Sequence, residues 1–143
     1  MTIAAILKDK GADVVSIAPT AMVAEAVALL AARRIGAVPV LGDDGAVAGI
    51  FSERDVIHCL QAKGAAALDG PVGDAMTAPA ISVAPEQPVI GALSLMTKRR
   101  IRHLPVVADG RLVGFVSIGD LVKYRIDRIE ADAAAMRDYI QSA

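Results

Sequence analysis

Two stretches constrain this chain more than any other feature: Gly49-Ile50-Phe51-Ser52-Glu53-Arg54-Asp55 and Gly114-Phe115-Val116-Ser117-Ile118-Gly119-Asp120. Each reads as a short apolar strand running into a Ser-x-x-Asp turn that opens a helix, since a serine hydroxyl can accept from the free N–H groups of a first helical turn. The same corner is therefore built twice. The repetition also extends well beyond the corner. Ser16-Ile17-Ala18-Pro19 recurs as Ser82-Val83-Ala84-Pro85, and Arg33-Arg34-Ile35 as Arg99-Arg100-Ile101, both at an offset of 66 residues. Pro39-Val40 recurs as Pro105-Val106, and the second corner follows after a one-residue deletion. A repeat of this length predicts two similar units packed about a pseudo-two-fold axis, each burying what the other exposes.

Within each unit the periodicity gives the element order. Asp13 to Ile17 reads as a strand ended by Pro19, and Met22 to Arg34 as a helix with Val23, Val27 and Leu30 inward. Gly36 to Leu41 and Val47 to Phe51 are strands about a hairpin-type turn at Asp43-Asp44-Gly45, and Ser52 opens a helix through about Leu60. A short helix is expected at the start, capped by Thr2, with Ile3, Ile6 and Leu7 on one face and Gly11 as its stop. It is too short to stand alone and must dock on something. The Ala- and Gly-rich residues 61–74 read as a linker or a frayed helix end. Past Asp120, Val122, Ile126, Ile129, Ala133, Met136 and Ile140 are spaced 4, 3, 4, 3, 4 between charged residues. That heptad-like stripe fits either a helix packed on its own domain or a helix-to-helix contact between two copies.

With 143 residues the chain is long enough for one domain or two halves sharing a core. The apolar content, 55% with only 3% aromatic, suits buried strands and Ala-rich helices of a soluble α/β protein. Charge, proline or glycine interrupts every apolar run before it could span a bilayer, and the first residues lack a secretory leader. The single cysteine, Cys59, excludes an intramolecular disulfide and an all-cysteine metal cage. A cytoplasmic location is expected. A net charge of −1 lacks the basic excess of a nucleic-acid binder. Neither a nucleophile–base constellation, nor a metal cluster, nor a Gly-rich phosphate loop is legible, so no catalytic residue is assigned and an enzyme is not expected.

The repeated marks resemble the tandem cystathionine β-synthase (CBS) domain pair, or Bateman module. Each unit has a first strand ending before a proline, an apolar-Pro-apolar strand (Ala37-Val38-Pro39-Val40 and His103-Leu104-Pro105-Val106) and Gly-x-x-Ser-x-x-Asp. The resemblance covers roughly residues 12–126, with repeat 1 at 12–61, a linker at 62–77, repeat 2 at 78–126 and a helical extension at 127–143. It implies an α/β (α+β) fold of two β-α-β-β-α units joined through their sheets, with a short N-terminal and an extended C-terminal helix. It also implies two clefts that bind adenosine-containing ligands and no catalytic activity. Carried over by position, cleft A would combine Ile50, Ser52 and Asp55 with Ile81, Arg102, His103 and Pro105, with Arg54 in reach. Cleft B would combine Ser117 and Asp120 with Val15, Gly36, Ala37 and Pro39. The implied regulatory ligand is an adenine nucleotide, AMP or ATP foremost, with NAD and S-adenosylmethionine as further members of the class. A homodimer and an unnamed downstream protein target are implied too, and neither a membrane nor nucleic acid is.

The residue chemistry supports such sites. A carboxylate such as Asp55 or Asp120 can accept both hydroxyl protons of a ribose diol. Ile81 and Val15 can flank a flat base while strand backbone groups read its edge, and a helix opening at Ser52 or Ser117 favours a phosphate. The same Ser-x-x-Asp can equally serve as a capping device. His103 alone reads as structural, Cys59 as packing, and most of Arg33, Arg34, Lys98, Arg99 and Arg100 as solvated cations at helix ends. Arg102 stands out as a phosphate contact. On this reading cleft A is basic and would prefer AMP-, ADP- or ATP-like ligands, whereas cleft B has Gly36, Ala37 and Gly119 in the matching places and would tolerate a less charged or bulkier adenosine derivative or stay empty.

Overall fold

The computed structural model describes residues 1–11 and 13–142. Helix α1 (Ile3–Lys10) is followed by α2 (Val23–Arg33), β1 (Ala37–Leu41), β2 (Val47–Ser52) and α3 (Glu53–Lys63). A 3-10 turn (Gly64–Asp69) and α4 (Val72–Ala75) lead to α5 (Val89–Arg99), β3 (His103–Ala108), β4 (Arg111–Ser117) and α6 (Ile118–Ser142). The two α-β-β-α units recur as the sequence implies. Each has one antiparallel hairpin, β1–β2 and β3–β4, with a register shift at Val40/Leu41 and at Val106/Val107. The Asp43-Asp44-Gly45 turn forms, with Gly45 at φ 78° and the Asp44 carboxylate accepting from Ala46 N–H.

The first strand of each unit is much shorter than the sequence implies. Ile17 pairs with Val40, and Val83 with Val106, as isolated parallel bridges. Each bridge still makes two backbone bonds: Ile17 N–H to Pro39 O and Leu41 N–H to Ile17 O, then Val83 N–H to Pro105 O and Val107 N–H to Val83 O. Only one residue of each segment pairs with the hairpin, so reading all of Asp13 to Ile17 as a strand overstated its length. Gly11 stops α1 as expected, at φ 93° with its N–H on Leu7 O, but the Thr2 side chain makes no cap bond. Backbone bonds from Ile3 and Ala4 to Gln87 O and Pro85 O serve that helix start instead.

Residues 61–74 are no loose tether. The 3-10 turn and α4 bury Ala67 and Val72 against α2, and Val72 belongs to the first apolar core with Val23, Val38, Val40 and Phe51. Helix α1 does the mirror-image thing, since Ile3 and Ile6 belong to the second core, with Val89, Met96, Leu104 and Leu121. Val72 N–H bonds Ala21 O and Gly73 N–H bonds Pro19 O, as Ile3 bonds Gln87 and Ala4 bonds Pro85. Each unit is thus closed by the helix that precedes the other unit's sequence.

The seal at each hairpin is a glycine. A Cβ on Gly49 would stand 2.7 Å from Thr77 O and 2.8 Å from Met76 Sδ, and one on Gly114 would meet Leu7. Thr77 there pairs with Ile50 through both backbone bonds, so the obstruction at Gly49 is backbone and cannot rotate away. Gly49→Ala is therefore expected to cost about 2 kcal/mol by overpacking, read as a lowered urea midpoint. No change in midpoint would mean that the 76–77 segment gives way freely.

Candidate functional site

Both Ser-x-x-Asp turns are capping boxes. Asp55 Oδ2 accepts from Ser52 N–H at 2.8 Å and from Ser52 Oγ at 3.1 Å, while Ser52 Oγ accepts from Asp55 N–H at 3.4 Å. Asp120 Oδ2 likewise accepts from Ser117 N–H at 2.8 Å, and Ser117 Oγ from Asp120 N–H at 3.1 Å. The capping role, left open by the sequence, is real in both copies. It also orients each carboxylate toward the gap between the repeats.

Two cavities lie in that gap. Cavity A, about 350 Å³, is walled by Ile50, Ser52, Arg54 and Asp55 of the first repeat and by Arg102 and His103 of the second. Cavity B, about 440 Å³, brings Ser117 and Asp120 together with Val15, Gly36 and Ala37. Gly36 and His103 border both. Three expected wall residues are absent from these linings. Pro39 and Pro105 are buried within β1 and β3, and Ile81 packs against the second core. Ile101, just before β3, supplies the apolar contribution to cavity A that Ile81 was expected to make. Gly36 is a tight spot, because a Cβ there would come 2.6 Å from Glu53 Oε1 and 3.4 Å from His103 Cε1.

Charge differs between the cavities, though less simply than position matching implies. Cavity A is bordered by Arg54, Arg99, Arg100 and Arg102 against Glu53 and Asp55. Arg100 adopts the left-handed region at φ 55° as the end of α5, and its carbonyl accepts from Arg54 Nη1 at 2.9 Å. Cavity B is not free of cations. Lys10 and Arg34 border it, the latter at φ 53° as the end of α2, and they balance Asp13 and Asp120.

The two carboxylates are held differently, and neither partner was legible in the sequence. In cavity A, Thr77 Oγ1 donates to Asp55 Oδ1 at 2.8 Å and Thr77 N–H donates to Ile50 O at 2.9 Å. In cavity B the Lys10 ammonium makes both equivalent bonds, 2.6 Å to Asp120 Oδ2 and 2.8 Å to Phe115 O. Phe115 opposes Pro105 in its hairpin as Ile50 opposes Pro39, so Lys10 and Thr77 each bridge the same carbonyl position and the same aspartate of their repeats, through different atoms. Leu7 occupies the place of Met76, after which α1 continues to Lys10 while the chain beyond Met76 extends. The parallel between Ile3-Ala4-Ala5-Ile6-Leu7 and Val72-Gly73-Asp74-Ala75-Met76 was a signal for this. It lies at an offset three residues away from the main repeat, at 69 rather than 66.

Burial pushes the Asp120 carboxyl up, but the Lys10 hydrogen bond, the bonds from Ser117 and the Lys10 charge outweigh it and leave the group below its ordinary value. Burial, with Arg102 adding, lowers the His103 imidazole. His103 stacks on Phe115 with ring centroids 5.7 Å apart. The unfolded chain therefore takes up the His103 proton at higher pH than the folded one. Its contribution to stability is complete above about pH 6.5 and is lost as pH falls from there through the folded value. His103→Phe keeps a ring on Phe115 and removes this titration, so its melting temperature should fall less than that of the wild type between about pH 7 and 5. Parallel falls in the two proteins would assign the acid sensitivity elsewhere.

Among the described residues, no group of three His, Cys, Asp or Glu side chains is placed to hold a metal ion. Nor is any helix long and apolar enough to cross a membrane.

Two α-β-β-α units, swapped at their closing helices and enclosing paired inter-repeat cavities, define a tandem-repeat binding module. The CBS domain family model matches twice, over residues 7–62 and 72–127, and the chain belongs to that family. It is 37% identical over 121 residues to the mitochondrial CBS domain-containing protein CBSX3 of Arabidopsis thaliana, spanning 82% of this chain and 59% of that protein. The crystal structure of the CBS-domain protein ATU1752 from Agrobacterium tumefaciens superposes with a TM-score of 0.83 at 41% identity, covering 87% of this chain and 92% of that one. That of CBSX2 in complex with AMP gives a TM-score of 0.71 at 28% identity, covering 80% and 89%.

Proposed function

We propose that this protein is a non-catalytic regulatory module that binds an adenosine-containing nucleotide in cavity A. It would signal by a change in packing between the repeats or between the two chains of a homodimer, with a downstream protein as target and the cytoplasm as its setting. The observation that carries this reading is the composition of cavity A. Four arginines border a pocket that also holds Ile50, Ile101 and the Asp55–Thr77 pair. Guanidinium groups form short charge-assisted bonds with phosphate. Asp55 Oδ1, with one protein donor, has acceptor capacity left for a ribose hydroxyl, and the two isoleucines suit the faces of adenine. The AMP complex of the related CBSX2 supports the same ligand class, within which ATP, NAD and S-adenosylmethionine remain alternatives to AMP.

The test is calorimetric titration of AMP against adenosine. AMP should bind at least tenfold more tightly, and Arg102→Ala should abolish that preference while leaving adenosine binding unchanged. Equal affinity for the two in the wild type refutes a phosphate-reading cavity. Cavity B, electrically balanced and bordered by Lys10, should bind a less charged ligand or none.

One observation favours the rival reading, a ligand-independent dimerisation scaffold: both carboxylates already have partners within the chain. A melting temperature that rises with AMP, ATP, NAD or S-adenosylmethionine supports the sensor. No response to any of the four supports the scaffold.

A further inference from the structure

Helix α6 runs for 25 residues and leaves the module early. Leu121 is fully buried in the second core. The apolar stripe beyond it is not covered by its own domain, and its exposure rises from 42% at Val122 to 66% at Ile140. From Ile126 to Ser142 the helix projects about 25 Å, presenting isoleucines and Met136 to solvent. Intervals of 4, 3, 4, 3, 4 place Ile126, Ala133 and Ile140 at the a positions of a heptad and Val122, Ile129 and Met136 at the d positions.

We infer that this stripe pairs with the same stripe of a second copy as a parallel two-stranded coiled coil. This deepens the homodimer part of the preceding reading and is independent of which nucleotide, if any, the cavities bind. The flanking charges choose the orientation. Arg125 and Asp132 fall at g positions, and Lys123, Glu130 and Arg137 at e positions. Parallel helices set each g residue beside the e residue of the following heptad in the other chain. Arg125 then meets Glu130 of the second copy, and Asp132 meets its Arg137, so each contact is attractive and occurs twice by symmetry. Antiparallel helices instead set g beside g and e beside e. With the stripes fully overlapped, that opposes Glu130 to Glu130, Asp132 to Asp132 and Lys123 to Arg137, all of like sign. A staggered antiparallel register can pair Glu130 with Arg137, but it buries only Ile129, Ala133, Met136 and Ile140 and leaves Val122 and Ile126 in water.

Sedimentation and cross-linking of the full chain, without nucleotide, test this. The wild type should be a dimer. Ile129→Asp, at an exposed position that leaves the fold intact by circular dichroism, should raise the dimer dissociation constant at least tenfold. Arg125→Glu should weaken the dimer several-fold at low salt, and Arg125→Glu combined with Glu130→Arg should restore it. In a Cys59→Ala background, Ala133→Cys chains should oxidise to an interchain disulfide with themselves. A monomeric wild type overturns the inference, as does a dimer indifferent to Ile129→Asp. So does cross-linking of Ala133→Cys chains only to Met136→Cys chains, the pattern of the staggered antiparallel register. None of these results bears on nucleotide affinity, which the titrations read separately.

Discussion

Ile3→Ala should destabilise the protein by about 3 kcal/mol, and the damage should appear first in the second repeat, more than eighty residues away in the sequence. Ile3 is fully buried among Val89, Met96 and Leu104 rather than against the repeat that follows it. Truncating it leaves a cavity in that core and weakens the hold of α1, whose first turn is tied to Pro85 and Gln87. Urea denaturation gives the loss. Hydrogen exchange locates it, with the β3–β4 amides losing more protection than those of β1–β2. Removing residues 1–7 should do the same more severely, because Leu7 leaves Gly114 and β4 uncovered. Equal loss of protection in both hairpins would show that the two cores open only together.

The contrast between what this sequence reveals and what it hides has a physical basis. The corners at Ser52 and Ser117 are local devices, closed within four residues by capping bonds, so residue type and spacing suffice to find them. The hairpins announce themselves through their turns and prolines. Which helix covers which hairpin is settled by docking, and the swap of α1 and α4 between repeats is marked only by the faint likeness of residues 3–7 to residues 72–76, at an offset of 69 rather than 66. The first strand is shorter than expected because Val15 and Ile17 record packing on the core, while the backbone pairs at one residue only. The partners of the carboxylates were invisible because they come from distant parts of the chain. Lys10 reaches Asp120 across 110 residues and Thr77 reaches Asp55 across 22. Along α6, the period of the stripe was plain, but whether its own domain covered it depended on where the helix left the core at Leu121.

Asp55→Ala is expected to show that one side chain holds both the fold and the proposed site. Asp55 is only 8% exposed and accepts three bonds through its side chain: from Ser52 N–H, Ser52 Oγ and Thr77 Oγ1. Removing it takes away the reciprocal half of the α3 capping box, while Ser52 Oγ still accepts from the N–H of residue 55, and leaves the Ser52 N–H without its acceptor in a half-buried place, a cost of about 2 kcal/mol. AMP affinity should fall at least a hundredfold, because the ribose loses its acceptor and the Thr77 side chain loses its anchor. Thr77→Val separates the two effects. It keeps the capping box and removes only the bond to Oδ1, so stability should fall by less than about 1 kcal/mol while AMP binding still weakens measurably. Asp120→Ala, whose cation Lys10 is partly exposed and contributes little net energy, should cost less than Asp55→Ala and leave AMP affinity in cavity A unchanged. If Asp55→Ala and Asp120→Ala lower AMP affinity equally, the nucleotide does not distinguish the two cavities, and the arginines around Arg102 are not what selects it.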